Sequence, residues 1–186
     1  MVPVNIPNVL TVVRMLLVPV LVVALLEKTG GGDLLAAVVF AVASITDAID
    51  GWLARTRGSV TTFGKLMDPI ADKLLIVAAL VALVSLNRLE AWVAMVIIAR
   101  EFAVTVLRAA VGAQQGVVIS ASQLGKLKTV LQVVMVLVLI TVHGTRPVWI
   151  TLLVYATVLV TILSGADYFF GLRRSVRAGS ATDVSG

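Results

Sequence analysis

Apolar runs long enough to cross about 30 Å of hydrocarbon follow one another along most of the chain, and a backbone placed in hydrocarbon must satisfy its own N–H and C=O groups. Such runs cover residues 9–26, 34–53, 70–86, 91–111, 126–142 and 148–170. They predict an all-α integral membrane protein, a bundle of six transmembrane helices. A length of 186 residues suits one domain, while 60% hydrophobic and 13% charged residues exclude an ordinary soluble one. The net charge of +5 fits contact with anionic lipid headgroups, and with no long basic run in the chain, nucleic acid is not an expected partner. Without cysteine, disulfides and thiolate chemistry are excluded.

The breaks between runs are short. Gly30-Gly31-Gly32 reads as a flexible loop, residues 55–65 as a polar connection, 87–90 and 143–147 as turns, and 112–122 as a polar break. The division predicted is a six-helix catalytic domain over 1–172 and a basic, disordered tail over 173–186. Residues 1–8 lack the positive start of a signal peptide, so the first span is expected to be retained. Six spans put both termini on one side, together with Arg55, Arg57, Lys65, Lys73, Arg108, Lys126, Lys128, Arg173, Arg174 and Arg177, against Lys28, Arg88 and Arg146 opposite. The excess makes the first side cytoplasmic. The expected protein is a multi-pass cell-membrane protein whose polar cavity opens to the cytoplasm.

Four of the ten acids interrupt this apolar pattern. Asp47 and Asp50 stand three apart, Asp68 and Asp72 four apart, so on helices each pair shares one face. Facing helices would gather four carboxylates, whose repulsion bound divalent cations relieve. Oxygen ligation without Cys or His suits Mg²⁺ or Mn²⁺, commonly held together with substrate phosphate. Gly51 and Ala54 leave bare helix surface one turn after the aspartates, and Arg55 offers a fork for phosphate. Asn8, Thr11 and Arg14 form a polar stripe on the first span, expected to face the cavity.

The full pattern, Asp47-x2-Asp50-Gly51-x2-Ala54-Arg55-x8-Gly64-x3-Asp68-x3-Asp72, resembles the signature of the CDP-alcohol phosphatidyltransferase family, integral membrane enzymes that make phospholipids. The resemblance implies two metal ions held by Asp47, Asp50, Asp68 and Asp72, with Asp72 also the general base. It implies binding of CDP-diacylglycerol by Asp47, Asp50, Gly51, Ala54, Arg55 and Gly64, and a homodimer among membrane lipids. Asp68-Pro69-Ile70-Ala71-Asp72-Lys73, Arg100-Glu101-Phe102, Leu107-Arg108 and Gly125-Lys126-Leu127-Lys128-Thr129 are similar to members that make phosphatidylglycerophosphate from glycerol 3-phosphate.

For that acceptor, a small dianion, Arg100, Arg108, Lys126 and Lys128 are the candidate phosphate donors. Glu101 and Arg108, seven apart, share a face; the alternative role for Glu101 is an ion pair that fixes helix packing, and for the lysines that they mark the cytoplasmic side. Trp149 and Tyr168 are read as interface anchors. Asp167 is given no chemistry, and His143, beside a turn, is read as solvated. The rival acceptor is phosphatidylglycerol, as in cardiolipin synthases. An ion-coupled transporter is the rival class, disfavoured because the acids occur once and not in an inverted repeat.

Overall fold

The computed structural model describes residues 6–27, 31–57, 62–115, 123–142, 144 and 146–182, with side chains over 12–27, 31–47, 73–111, 123–142, 144 and 146–169. Every regular element among them is a helix: α1 (Ile6–Leu26), α2 (Gly32–Arg57), α3 (Thr62–Ser85), α4 (Ala91–Gln115), α5 (Gln123–Thr141) and α6 (Val148–Thr182). Several helices outrun their apolar runs. α2 continues through the whole stretch from Asp47 to Arg57, and α3 begins before Asp68, so Pro69 lies inside it and not in its first turn. α6 continues to Thr182, so the backbone of 173–182 is helical where a disordered tail was expected. Leu172, Arg173, Arg174, Arg177 and Ala178 favour helix, and charge alone does not end one.

The outer surface is apolar. Val12, Leu16, Val20 and Val23 on α1, Leu35, Val38, Val42 and Ile45 on α2, and Leu152, Tyr155, Leu159 and Ile162 on α6 recur every three or four residues and are exposed. Helices that are apolar inside and outside the bundle belong in lipid. Among the described residues α5 and α6 are long and apolar enough to cross a membrane, and the described parts of α1 and α3, Val12–Leu26 and Lys73–Ser85, are apolar as well. α4 carries Arg100, Glu101 and Arg108 within its apolar run, and the described part of α2 carries Asp33 and Asp47.

α1 packs on α2 and α3, α2 on α5, α5 on α6, α6 on α4, and α4 on α3, with α3 and α5 also touching across the middle. The core joins large side chains such as Phe40, Leu80, Leu83, Ile97, Met135 and Ile140 to alanines at 24, 36, 43, 79 and 82. The alanines let helix backbones approach closely, the main source of packing energy where lipid removes the hydrophobic drive.

Ion pairs close the end of the bundle remote from Asp47. Arg88 Nη1 donates to Asp33 Oδ1 at 2.6 Å and Nη2 donates to Oδ2 at 3.0 Å, while Nη1 also reaches the Ile140 carbonyl at 3.1 Å. One side chain thereby ties α2 and α5 to the end of α3. Its position comes from the turn: Asn87 adopts φ 56°, the Arg88 N–H bonds to the Leu83 carbonyl, and the Asn87 N–H bonds to the Val84 carbonyl. That pairing is the Schellman ending of a helix, and asparagine tolerates the left-handed position. Arg146 donates to Glu90 at 2.8 Å in the same way between the turn before α6 and the start of α4.

Gly32, expected in a flexible loop, opens α2 against the end of α1. A Cβ there would lie 2.6 Å from the Ala24 carbonyl oxygen and 2.9 Å from that of Glu27. Gly32→Ala must therefore move backbone, at a cost of about 1–3 kcal/mol. Thermal unfolding in detergent should show a clearly lowered Tm for Gly32→Ala, whereas Gly31→Ala, with nothing within 4 Å, should match wild type. Equal melting of the two variants would refute the close approach.

Candidate active site

A cavity of about 670 Å³ lies toward the end of the bundle where α2 and α4 finish and α5 begins. Arg14 of α1, Asp47 of α2, Lys73 of α3, Arg100, Glu101 and Arg108 of α4, and Lys126 and Lys128 of α5 all line it. Six of these are cationic and two anionic, and the low dielectric of a helix bundle strengthens the attraction of that surplus for an anion.

Glu101 is the centre. It is 4% exposed, and its Oε1 accepts from Lys128 Nζ in a close ion pair and lies 3.4 Å from Arg100 Nη1. Its Oε2 lies 3.5 Å from Lys73 Nζ. One carboxylate thus joins α3, α4 and α5. Arg108, seven residues further along α4, has its guanidinium 4.9 Å from the Tyr168 ring centroid, a cation–π contact. Tyr168 is therefore buried on the inner face of α6 and is not an interface anchor, whereas Trp149 is exposed. Arg100 crosses to α6 as well: Nη2 donates to Ser164 Oγ, and a Cβ on Gly165 would lie 3.3 Å from Arg100 Cγ. Asp167 is exposed and, among the described residues, has no ion-pair partner.

The four cations expected to take an acceptor phosphate, Arg100, Arg108, Lys126 and Lys128, do share this one cavity. Lys128 is buried and held by Glu101, and Lys126 is exposed. Three lining residues had been given no such role. Lys73 follows Asp72 directly, a position that signals a cation beside the aspartates; Arg14 belongs to the polar stripe of α1; and Gln132 shows only its helical spacing from Lys128.

Of the aspartate pattern, the side chain of Asp47 is described. It lines the cavity at 38% exposure, and its Oδ1 is 3.0 Å from Arg14 Nη1. Asp50, Gly51, Ala54 and Arg55 lie on α2 and Gly64, Asp68 and Asp72 on α3, but their side chains fall outside the described residues, as do those of Asn8, Thr11 and His143. Both aspartate pairs sit on unbroken helix. Among the described residues no three His, Cys, Asp or Glu side chains form a metal cluster. A set of four carboxylates fits a hard divalent cation, and Asp47 keeps a second oxygen beside the cavity.

An all-helical chain with an apolar outer face and a cation-rich cavity that Asp47 also lines is consistent with a membrane enzyme. The chain belongs to the CDP-alcohol phosphatidyltransferase family, whose model matches residues 4–163. Its relatives include a probable phosphatidylglycerophosphate synthase of Mycobacterium tuberculosis, 45% identical over 170 residues, 88% of this chain and 79% of that one. A CDP-diacylglycerol–glycerol-3-phosphate 3-phosphatidyltransferase of Bacillus subtilis is 38% identical over 182 residues, 89% of this chain and 93% of that one. One of the same name from Rickettsia felis is 35% identical over 170 residues, covering 89% and 93%. This membership sets the transporter reading aside.

Removing Glu101 leaves three cations facing one another, and breaking a buried pair from one side costs about 3–5 kcal/mol. Glu101→Gln should unfold well below wild type in detergent, and Glu101→Gln combined with Lys128→Met should recover part of that loss. A single variant as stable as wild type would show that the pairs do not hold these helices together.

Proposed function

We propose that the protein transfers a phosphatidyl group from CDP-diacylglycerol to glycerol 3-phosphate, giving phosphatidylglycerophosphate and CMP. The observation that carries this reading is the convergence of Arg100, Arg108, Lys126 and Lys128 on one cavity that also contains Asp47 of the family signature. The Mycobacterium tuberculosis, Bacillus subtilis and Rickettsia felis relatives bear names for this reaction. Cardiolipin synthesis, the second reading, would bring phosphatidylglycerol, whose phosphate is a singly charged diester and profits less from so many cations.

Asp47, Asp50, Asp68 and Asp72 are the residues to hold Mg²⁺ or Mn²⁺, two ions by resemblance, which when bound would neutralise charge on the donor pyrophosphate. Gly51 and Ala54 leave space for the cytidine, and Arg55 donates to a donor phosphate. The cations of α4 and α5 orient the acceptor by its phosphate, turning a bimolecular encounter into a positioned one. Asp72 takes the proton of the acceptor's primary hydroxyl as that oxygen bonds to the lipid-linked phosphorus; the bond from this phosphorus to the bridging oxygen breaks, and CMP leaves with its electron pair.

In this reading all six helices span the membrane, and the cavity, both termini and the tail from 173 face the cytoplasm, where the soluble acceptor and CMP exchange. The lipid-facing stripes of α1 and α2 supply the sideways route for the diacylglycerol tails. A homodimer in the membrane completes the proposal.

Chelation with EDTA should abolish CMP release, and Mg²⁺ or Mn²⁺ should restore it. Asp72→Asn should lower kcat by at least a hundredfold, in line with the 10²–10⁴ that general bases contribute, while CDP-diacylglycerol binding persists. For the acceptor, Lys126→Ala and Arg108→Ala should each raise the KM for glycerol 3-phosphate about tenfold to a hundredfold, the worth of a charged hydrogen bond, with little change in the donor KM. Effects confined to the donor KM would move these residues out of the acceptor site.

A further inference from the structure

The cavity holds one buried polar group that the charge network does not use. Gln132 is 3% exposed and lines the cavity, and its amide nitrogen is buried with no hydrogen-bond partner among the described residues. Its surroundings explain why no neighbour serves it. Phe40, Ile76, Val104 and Val133 line the same space and offer no acceptor. The two cavity threonines turn their hydroxyls to their own helices, Thr105 Oγ1 donating to the Glu101 carbonyl at 2.7 Å and Thr129 Oγ1 to the Gly125 carbonyl at 3.1 Å, and neither oxygen accepts from Gln132. Ser44 is only partly buried, within reach of solvent.

A buried amide left unpaired is costly, and a bundle that keeps one at a cavity wall keeps it for a visitor. Gln132 stands four residues after Lys128, so the two share a face of α5 about one helical turn apart, about 6 Å along the axis. Lys128 is a terminus for the acceptor's phosphate in the reading above, on which this inference rests. An oxygen a few bonds from that phosphate then falls beside the amide. An amide both donates and accepts, as a hydroxyl does, so a single Gln can satisfy both functions of an alcohol.

We propose that Gln132 is a specificity-determining residue that reads the secondary hydroxyl of the acceptor, the one that does not react. The charged residues recognise that the acceptor is a phosphate; Gln132 recognises that it is a glycerol phosphate. It takes no part in bond making, so its contribution vanishes when the acceptor lacks that hydroxyl.

The test compares glycerol 3-phosphate with 3-hydroxypropyl phosphate, which keeps the phosphate and the primary hydroxyl but lacks the secondary one, using purified full-length protein in detergent with CDP-diacylglycerol. Wild type should prefer glycerol 3-phosphate by tenfold or more in kcat/KM, since a site built to pair a hydroxyl rejects the analogue without it. Gln132→Met, close in shape and without the amide, should lose that preference by falling on glycerol 3-phosphate while its kcat/KM for 3-hydroxypropyl phosphate stays within about twofold. Gln132→Glu, which still accepts a hydrogen bond, should retain part of the preference if the variant binds CDP-diacylglycerol normally. Equal losses on both acceptors would make Gln132 a packing residue and overturn the inference, as would a wild type that does not discriminate. If wild type uses neither phosphate as acceptor, the reading of the reaction itself fails, a result distinct from either.

Discussion

A carboxylate buried among three cations is the constraint on which this bundle turns. Glu101 alone in hydrocarbon would be prohibitively unfavourable, and so would Lys73, Arg100 and Lys128 without it. Together they are tolerated, and because they come from α3, α4 and α5 their mutual need fixes how those helices meet. The three cations exceed the one anion, so the cluster is left with positive charge facing the cavity. In the proposed reading the packing device and the anion site are one arrangement.

The other end of the bundle is treated differently. Among the described residues there, Arg88 pairs with Asp33 and Arg146 with Glu90. Charge at that end closes helix turns, while charge at the Asp47 end stays available beside space. Arg100 and Arg108 also lean on α6, one through Ser164 and Gly165 and one over Tyr168, so the sixth helix supports the cavity without lining it.

The helices were legible in the sequence because long apolar runs in lipid have few other outcomes, and the aspartate pattern because its spacing is unbroken. Their ends were not, since the polar continuations of α2 and α6 carry good helix formers and no stop signal. Within the site, the four cations were legible as a group and an ion pair at Glu101 was one of the roles read for it, but not which residues it would meet. Lys73 and Lys128 arrive from other helices, and contacts between helices leave no periodic trace. Tyr168 was misjudged for the same reason: an aromatic near a helix end looks like an anchor until α4 is seen to pack against it. Gly32 looked like slack and is a contact, because the carbonyls that exclude a side chain are those of Ala24 in α1 and Glu27 just after it.

The central claim, that the cationic cavity lined by Asp47 serves a phosphate-bearing acceptor, is tested most directly by product analysis. Purified protein would receive CDP-diacylglycerol, Mg²⁺ and equal concentrations of labelled glycerol 3-phosphate and labelled phosphatidylglycerol, with CMP and both lipid products counted. The account predicts phosphatidylglycerophosphate formed one for one with CMP and little label in cardiolipin. Cardiolipin as the main product, or CMP released without phosphatidylglycerophosphate, would contradict it.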